Sequence, residues 1–280
     1  MLKPKLYLCP TPIGNMEDIT LRAIRVLREC AAVYCEDTRR ASVLLKQLDI
    51  QKPRVSCHAH NEMQRAQEIA ERIDAGEAIA YASDAGMPGI SDPGERLVAY
   101  CIAHDVPFEI LPGASASLTA LVYSGLPTAE ACFAGFLPRN GKARKDALAR
   151  LGRQQGTVIL YESPLRIADT AAALYAAWGE RPAVLVRELT KVYEEAVRTT
   201  LGGLAEAYAQ TPPRGECVLL VRGRGAETGE LDLDATLLRL LRGGASAKDA
   251  AKEAADVLDL PKNAAYKRAL ELKQGETPGL

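Results

Sequence analysis

The chain has 280 residues, 48% of them hydrophobic, which is enough for two modest domains and a small appendage. Basic and acidic residues nearly balance (35 against 36) and aromatic residues make up 5%, so a nucleic-acid partner would need a local basic patch and would find no wide stacking surface. Seven cysteines without Cys-x-x-Cys spacing, no signal-peptide core and no membrane-length apolar run predict a soluble, cytoplasmic protein with reduced thiols and no membrane partner.

Strand and helix signals alternate through residues 1–113. Strands are predicted at 5–10, 32–36, 54–56, 78–83 and 108–111. Helices are predicted after a cap at Thr20 and at 40–48, 62–75 and 95–104. This alternation predicts an α/β domain with a mostly parallel sheet and helices on its faces.

A second α/β domain is predicted at 114–230, after a crossing at 112–117. Its strands are predicted at 131–135, 157–162, 183–188, 193–201 and 216–222, and its helices at 144–153, 165–178 and 203–210. Two of these strands follow each other without a helix between them, which favours a mixed sheet.

A polar linker at 223–230 precedes a helical tail at 231–280. Ser246 is placed to cap a helix at 247–258, and Pro261 to open a basic helix at 262–273. The pattern is that of a helix-turn-helix unit, although two such helices also commonly serve only as a packed cap.

The segment from Ser83 to Gly94 carries the strongest local signal. It holds three glycines and two prolines between a predicted strand and a predicted helix, and a carboxylate near each end, Asp84 and Asp92. Such a composition excludes a regular element and favours a tight loop whose backbone approaches a ligand. An ordinary strand-to-helix turn is the alternative.

Three further loops follow predicted strands, at 11–18, 36–39 and 112–117. The carboxyl ends of parallel strands share one edge of a sheet, so all four loops are predicted to line one crevice. Neither a Gly-x-Gly-x-x-Gly turn nor a Walker A loop is present, which favours a nucleoside-type ligand without a triphosphate. His58 and His60 lie beside Cys57 without a second ligand cluster, so hydrogen-bonding or substrate-facing histidines are favoured over a metal site.

These loops together resemble one family. Its motifs here are Thr11-Pro-Ile-Gly-Asn15, Glu36-Asp-Thr-Arg39, the loop from Ser83 to Gly94, Leu111-Pro-Gly-Ala-Ser115, Gly135-Phe-Leu-Pro-Arg139, Tyr161-Glu-Ser-Pro164 and Arg187-Glu-Leu-Thr-Lys191. The chain resembles the tetrapyrrole methylase superfamily, most of all its branch that acts on ribosomal RNA, from Leu6 to about Arg222 with a tail also typical of that branch. Leu165 departs from the histidine that often follows Tyr-Glu-Ser-Pro, so no histidine acts there.

The resemblance implies a homodimer that binds S-adenosylmethionine between two α/β domains. It also implies methylation of a ribose 2′-hydroxyl on a decoding-centre cytidine in the 16S rRNA of the small ribosomal subunit. A methylase acting on a corrin or porphyrin precursor and a non-catalytic nucleic-acid-binding regulator are the alternatives. Methyl transfer from a sulfonium requires positioning rather than a metal.

Residue roles follow from loop position, charge and residue type. The residues predicted to contact the cofactor are Pro12, Gly14, Asp84, Gly86, Met87, Ser91, Pro112, Gly113, Ala114 and Ser115. Those predicted to contact RNA are His58, His60, Arg139, Lys142, Lys145, Lys262, Lys267 and Arg268. The catalytic candidates are Asp37, Arg39, Glu162, Glu188 and Lys191, with structural ion pairs as the alternative for each and with Lys191 usable as a base only if its pKa were lowered.

Overall fold

The computed structural model describes residues 2–224, 233–242, 245–258 and 261–275. The chain forms two compact units, Met1–Arg224 and Gly225–Leu280. The first unit contains two five-stranded sheets, and the second is helical.

The first sheet is entirely parallel, as predicted. Its strands are β1 (Leu6–Cys9), β2 (Ala32–Cys35), β3 (Arg54–Ser56), β4 (Ile79–Ala82) and β5 (Phe108–Ile110), in the spatial order β3-β2-β4-β1-β5. Its helices are α1 (Leu21–Glu29), α2 (Thr38–Gln47), α3 (Glu62–Asp74) and α4 (Glu95–Ala103).

Alternate residues of these strands fill two separate cores, one on each face of the sheet. Leu8 and Tyr81 belong to one core, and Tyr7 and Ala80 belong to the other. Because both faces are covered by helices, β1, β2 and β4 are buried along their whole length.

The second sheet is mixed, which confirms the prediction from its adjacent strands. It contains β6 (Ala131–Phe136), β7 (Thr157–Glu162), β8 (Pro182–Arg187), β9 (Glu195–Thr200) and β10 (Cys217–Val221), in the order β6-β7-β10-β8-β9. Only the β6–β7 pair is parallel. The accompanying helices are α5 (Ala116–Ser124), α6 (Gly141–Leu151), α7 (Ile167–Trp178) and α8 (Leu201–Ala207).

Helix α5 was not predicted, because its apolar and small residues follow no clear amphipathic period. It packs on the second sheet, where Ala120 and Leu121 share a core with Ile159 and Val184. Two other helices begin earlier than predicted because of side-chain caps. Asp37 accepts a hydrogen bond from the amide of residue 39 at the start of α2, and Thr200 accepts one from the amide of residue 203 at the start of α8.

The second unit has a core of its own. It contains α9 (Leu233–Arg242), α10 (Ala247–Leu258) and α11 (Lys262–Gly275), which pack through Leu237 and a group of alanines. Ser246 caps α10 as predicted, accepting a hydrogen bond from the Asp249 amide at 3.1 Å. Most of the predicted linker, residues 225–230, lies outside the described residues, as do the tail residues 231–232, 243–244, 259–260 and 276–280.

All seven cysteines are free, as their spacing predicted, and all except Cys132 are buried. Within the described residues, no helix combines the length and the apolar character needed to cross a membrane.

Candidate functional site

A cavity of about 960 Å³ lies between the two sheets, within the range of about 300–1,000 Å³ that is typical of ligand sites. All four predicted loops reach it, through Ile13, Glu36, Asp84 and Ser115 among others. The second sheet supplies the opposite wall, which includes Phe136 and the carboxyl end of β7. The prediction that these loops meet at one crevice is therefore confirmed.

The loop from Ser83 to Gly94 is held by hydrogen bonds from both of its flanks. Thr11 and Gly86 exchange two backbone hydrogen bonds of 3.1 and 3.0 Å, and the Ser83 hydroxyl donates to the Gly86 carbonyl. Gly86 has a φ of +77°, a conformation that an L-residue with a side chain rarely adopts. Buried Glu62 accepts hydrogen bonds from the amides of Gly94 and Leu97 and so fixes the start of α4.

Carboxylates dominate the wall formed by the first sheet. Burial, followed by the negative charges of Glu36 and Asp84, raises the pKa of Asp92 to about 7. Burial and the charge of Asp84 also raise the pKa of Glu36. Arg40 opposes both shifts, and its Nη1 lies 3.6 Å from Asp84 Oδ2. Three carboxylates against one close guanidinium favour a ligand that carries positive charge.

The opposite wall combines aromatic rings with a carboxylate whose hydrogen bonds are satisfied. Phe136 is 56% exposed and meets Tyr161 edge to face, with ring centroids 5.8 Å apart. Glu162 accepts hydrogen bonds from the Ser163 amide at 2.8 Å and from the Thr170 hydroxyl at 2.7 Å, and it forms an ion pair with Arg166 at 3.3 Å. These contacts favour the structural alternative for Glu162.

Of the two catalytic candidates that follow β2, Asp37 lies at the cavity and Arg39 lies in solvent. Asp37 lines the cavity, caps α2 and donates its backbone amide to Asp84 Oδ1 at 3.2 Å. Arg39 is exposed and lies outside the cavity lining, whereas its neighbour Arg40 lies within it. Because α2 begins at Thr38, Arg40 rather than Arg39 reaches the cavity. This helix was predicted to start at residue 40, and the wrong arginine was therefore chosen.

Glu188 and Lys191 lie outside the cavity lining. The Lys191 ammonium lies 3.0 Å from Glu188 Oε1 and 2.8 Å from Glu216 Oε2. Burial opposes the charged form, but the hydrogen bonds to Glu216 and Glu188 outweigh it and raise the pKa of Lys191. The condition for Lys191 to act as a base, a lowered pKa, is therefore not met.

The residues predicted to contact the cofactor fall into two groups. Asp84, Gly86, Met87, Ser91 and Ser115 line the cavity, whereas Pro12, Gly14, Pro112, Gly113 and Ala114 are not part of its lining. A Cβ atom at Gly14 would lie 2.6 Å from Thr190 Oγ1, and one at Gly113 would lie 2.5 Å from the Pro10 side chain. These two glycines therefore permit close packing of loops rather than direct approach of a ligand.

The residues predicted to contact RNA are spread over three surfaces. His58 lines the cavity and His60 is exposed outside it; the buried Nδ1 of His58 has no hydrogen-bond partner within the described structure. Arg139, Lys142 and Lys145 are exposed around the start of α6.

On α11, Lys262 and Lys267 are exposed. Arg268 is partly buried; it forms a bidentate pair with Asp234 and a second ion pair with Glu271 at 2.7 Å. The guanidinium of Arg268 is thus paired with two carboxylates of the helical unit. It links α11 to α9, and its charge is not available to RNA.

Comparison with known proteins places these features in a family. Residues 5–205 match the profile of Tetrapyrrole (Corrin/Porphyrin) Methylases, and residues 227–273 match the RsmI C-terminal HTH domain. Curated proteins named Ribosomal RNA small subunit methyltransferase I match almost end to end. The relative from Mesorhizobium japonicum is 42% identical over 99% of this chain and 95% of its own.

The chain belongs to the ribosomal RNA small subunit methyltransferase I family. Two further members of this family, from Streptococcus pyogenes serotype M1 and Escherichia coli O157:H7, are 39% and 41% identical over 95% of both chains. The methyltransferase class expected from the motifs is thereby confirmed.

Solved structures share the fold at low sequence identity. Diphthine synthase superposes with a TM-score of 0.61 at 15% identity, covering 78% of this chain and 89% of its own. Uroporphyrin-III C-methyl transferase from Thermus thermophilus, solved with S-adenyl homocysteine, gives 0.57 at 21% identity and covers 79% and 98%. The predicted tetrapyrrole methylase fold is thereby confirmed.

Proposed function

We propose that the cavity binds S-adenosylmethionine and that the protein methylates the ribose 2′-hydroxyl of a decoding-centre cytidine in 16S rRNA, the family target being cytidine 1402. The observation that carries the proposal is the pairing of a carboxylate-lined cavity with an exposed basic surface, Arg139, Lys142 and Lys145, that begins three residues beyond the cavity wall at Phe136.

The residues of the cavity fit the cofactor. When bound, S-adenosylmethionine supplies a methyl group on a positively charged sulfur, and it also carries an ammonium group. Asp84 and Glu36 offer acceptors and negative charge to such cations. Gly86 and Ser115 bring backbone close to the ligand from two loops, and no triphosphate has to be accommodated among the carboxylates.

We assign the proton of the ribose hydroxyl to Asp92. A hydroxyl is a weak nucleophile, and a base is most effective when its pKa lies near the working pH. Asp92 meets this condition with a pKa of about 7, and it lines the cavity together with Phe136 and Tyr161. Asp37 and Glu162 then act as positioning residues, the first through α2 and the second through Arg166 and Thr170.

The RNA backbone is held outside the cavity. Arg139, Lys142 and Lys145 form no ion pair with any residue in the described ranges, so their charges are available to phosphates. His58 faces the cavity and Phe136 offers an exposed ring for stacking on a base. The helical unit adds Lys262 and Lys267 as a second contact with the small ribosomal subunit.

We also propose a homodimer, which acts in the cytoplasm where ribosomes are assembled. Helix α5 supports the dimer, because Leu118 and Val122 are 63% and 74% exposed on one helix, a poor arrangement for a free surface. Light scattering during size exclusion measures the oligomeric state directly. A monomer at micromolar concentration would contradict this part of the proposal.

A methyl-transfer assay tests the function. Cofactor labelled in its methyl group is offered with small ribosomal subunits, with naked 16S rRNA and with uroporphyrinogen III. We expect label in the RNA, at a single nucleotide whose 3′ linkage resists alkaline cleavage because its 2′-hydroxyl is blocked. Label in the tetrapyrrole alone would replace the proposal with its main alternative, and label in a base would contradict the ribose assignment.

A further inference from the structure

The second sheet carries a cationic pocket at the end away from the cavity. The pocket has a volume of about 550 Å³ and lies between α6, α7 and the residues that flank β8 and β10. Four basic residues line it, Lys145, Arg153, Arg181 and Arg224, together with Trp178, and no acidic residue of the described chain contributes to its wall.

Arg181 is the fixed element of this pocket. Its Nη2 donates to the Gly152 carbonyl at 2.9 Å, and its guanidinium lies 5.1 Å from the centroid of the Trp178 ring. The Trp178 Nε1 donates to the Leu148 carbonyl at 2.8 Å, so both side chains are held against the carboxyl end of α6. Two carbonyl oxygens at that helix end thus accept hydrogen bonds, one from an indole and one from a guanidinium.

One nitrogen of the Arg181 guanidinium, the buried Nη1, has no hydrogen-bond partner in the described part of the chain. Burial, followed by the positive charge of Arg224, lowers the pKa of Arg181. Like charges held close together in a pocket are stabilised when an anion binds, and none of the described residues that line this pocket is acidic.

The chain leads from the cavity residue Phe136 through a short loop into α6, whose residues line the pocket. Val186 and Leu189 line the cavity near the carboxyl end of β8, whereas Arg181 precedes the first residue of that strand. Helix α6 begins beyond Arg139 and extends for 11 residues, about 16 Å at the usual rise. The exposed basic side chains of α6 therefore lie along the path between the two ends of the sheet.

We propose that this pocket binds a backbone phosphate of the RNA substrate, at a nucleotide distant from the one that is methylated. The inference rests on the proposed function, which supplies the RNA. The head groups of Lys145 and Arg153 bind the phosphate, and Arg181 supplies fixed positive charge behind them. The pocket thus extends the RNA-binding surface beyond the residues that the sequence motifs indicate.

The fluorescence of Trp178 reports on this pocket directly, because it is the one tryptophan of the chain. We expect an RNA fragment of the decoding region to change this fluorescence in the full-length protein, with an affinity that falls as salt rises. Lys145→Gln with Arg153→Gln should remove the change and lower the log–log salt slope of binding by about 0.7, the value for one phosphate neutralised on a single strand. Both side chains are exposed, so the double variant should keep the melting temperature of the wild type.

Arg150→Gln is the matched control, since Arg150 is an exposed cation on the same helix but outside the pocket. Inorganic phosphate and a polyglutamate peptide are titrated in parallel. The proposal is overturned if RNA leaves the fluorescence unchanged, if the double variant behaves like the control, or if inorganic phosphate or polyglutamate binds the pocket while RNA fails to displace it.

Methyl transfer by the wild type to 16S rRNA is measured separately. If the wild type and the double variant transfer methyl groups normally and bind RNA with equal affinity, the pocket does not bind the RNA, and the proposed function still stands. Absence of transfer by the wild type would instead reject the proposed function.

Discussion

The cavity and the pocket, which lie near opposite ends of the second sheet, carry opposite charge. The cavity is lined by Glu36, Asp84 and Asp92 from loops of the first sheet, and burial, followed by the repulsion between these carboxylates, raises the pKa of Glu36 and Asp92. In the pocket, Arg181 lies among other cations, and burial, followed by the positive charge of Arg224, lowers its pKa. The net charge of −1 conceals this division, because the 35 basic and 36 acidic residues of the whole chain nearly cancel.

The separation matches the two partners that the proposed reaction brings together. A cationic cofactor is favoured among carboxylates, and a polyanionic RNA is favoured along basic side chains. If the charges were mixed, each partner would meet repulsion at the other's site. The comparison therefore predicts that acid-to-amide changes affect the cofactor and chemistry, whereas changes of basic residues affect RNA binding.

The largest expected effect concerns Asp92. Asp92→Asn should lower the single-turnover rate by about 100-fold or more, as is typical when a general base is removed. The wild-type rate should rise with pH through about 7 and then level off, because only the ionised carboxylate accepts a proton. The rate of the variant should be independent of pH in that range.

Asp105→Asn, in an exposed residue that lies outside the cavity lining, serves as its control. A variant rate that keeps the wild-type pH profile would remove Asp92 from the chemistry.

The same carboxyl predicts a pH dependence of stability. Its pKa is raised from 3.8 in the unfolded chain to about 7 in the fold, so the folded state holds the proton more tightly. The resulting stability is complete below pH 3.8 and is lost as pH rises through about 7. Relative to Asp92→Asn, the melting temperature of the wild type should therefore fall between pH 5 and pH 8, and a rise would contradict the shift.

Asp84→Asn should weaken binding of S-adenosylmethionine by about 10- to 100-fold, the usual range when a charged hydrogen bond of about 1.5–3 kcal/mol is removed. The amide keeps an oxygen that can accept from the Asp37 backbone, so α2 should remain in place. Calorimetry measures the affinity, and Asp49→Asn, at an exposed residue outside the cavity lining, is the control. Equal affinity in the Asp84 variant would argue against an electrostatic role for the cavity wall.

Arg139→Gln with Lys142→Gln should lower the salt slope of RNA binding by about 1.4 and leave cofactor affinity unchanged. The effect on affinity is expected to be smaller than that of the cavity variants, because both side chains are exposed and their charges are screened. Filter binding over a salt series measures it. A loss of cofactor affinity in this variant would contradict the proposal that basic residues serve RNA binding and carboxylates serve the cofactor.

The smallest effect is expected from the helical unit. A chain that ends at Arg224 should bind the cofactor normally, because the first unit contains every residue of the cavity wall. Its RNA salt slope should fall by about 0.7 for each phosphate that a lysine of this unit neutralises, and Lys267→Gln in the full chain should reproduce part of that change. Unchanged RNA binding after truncation would show that the helical unit does not contact RNA and serves only in packing. Failure of the truncated chain to fold would show that the first unit does not fold independently of the helical unit.

Much of the fold was predictable because its signals are local. The glycine- and proline-rich loops mark the strand ends, and the period of two separates the cores around Leu8 and Tyr7. Helix α5 was missed because its small apolar residues suit a loop as well as a helix, and only packing against Ile159 and Val184 decides between them.

The cavity was predictable at the level of loops and less so at the level of residues. Sequence position placed Asp84 and Gly86 correctly at the cavity wall. It could not decide between Arg39 and Arg40, because the direction of each side chain depends on the residue at which α2 begins. The pKa of Asp92 depends first on burial and then on Glu36, which is far away in sequence, and both arise only when the chain folds.

The buried thiols make the protein convenient for site-specific labelling. Burial raises the pKa of Cys30, Cys101 and Cys217 to about 11, so these groups react slowly with maleimides at neutral pH. Cys132 is the half-buried exception, and Cys132→Ala would remove it. Cysteines introduced at the exposed positions 150 and 267 would then carry one dye on each compact unit. Energy transfer between the two dyes would measure the distance between the labelled positions before and after RNA binds.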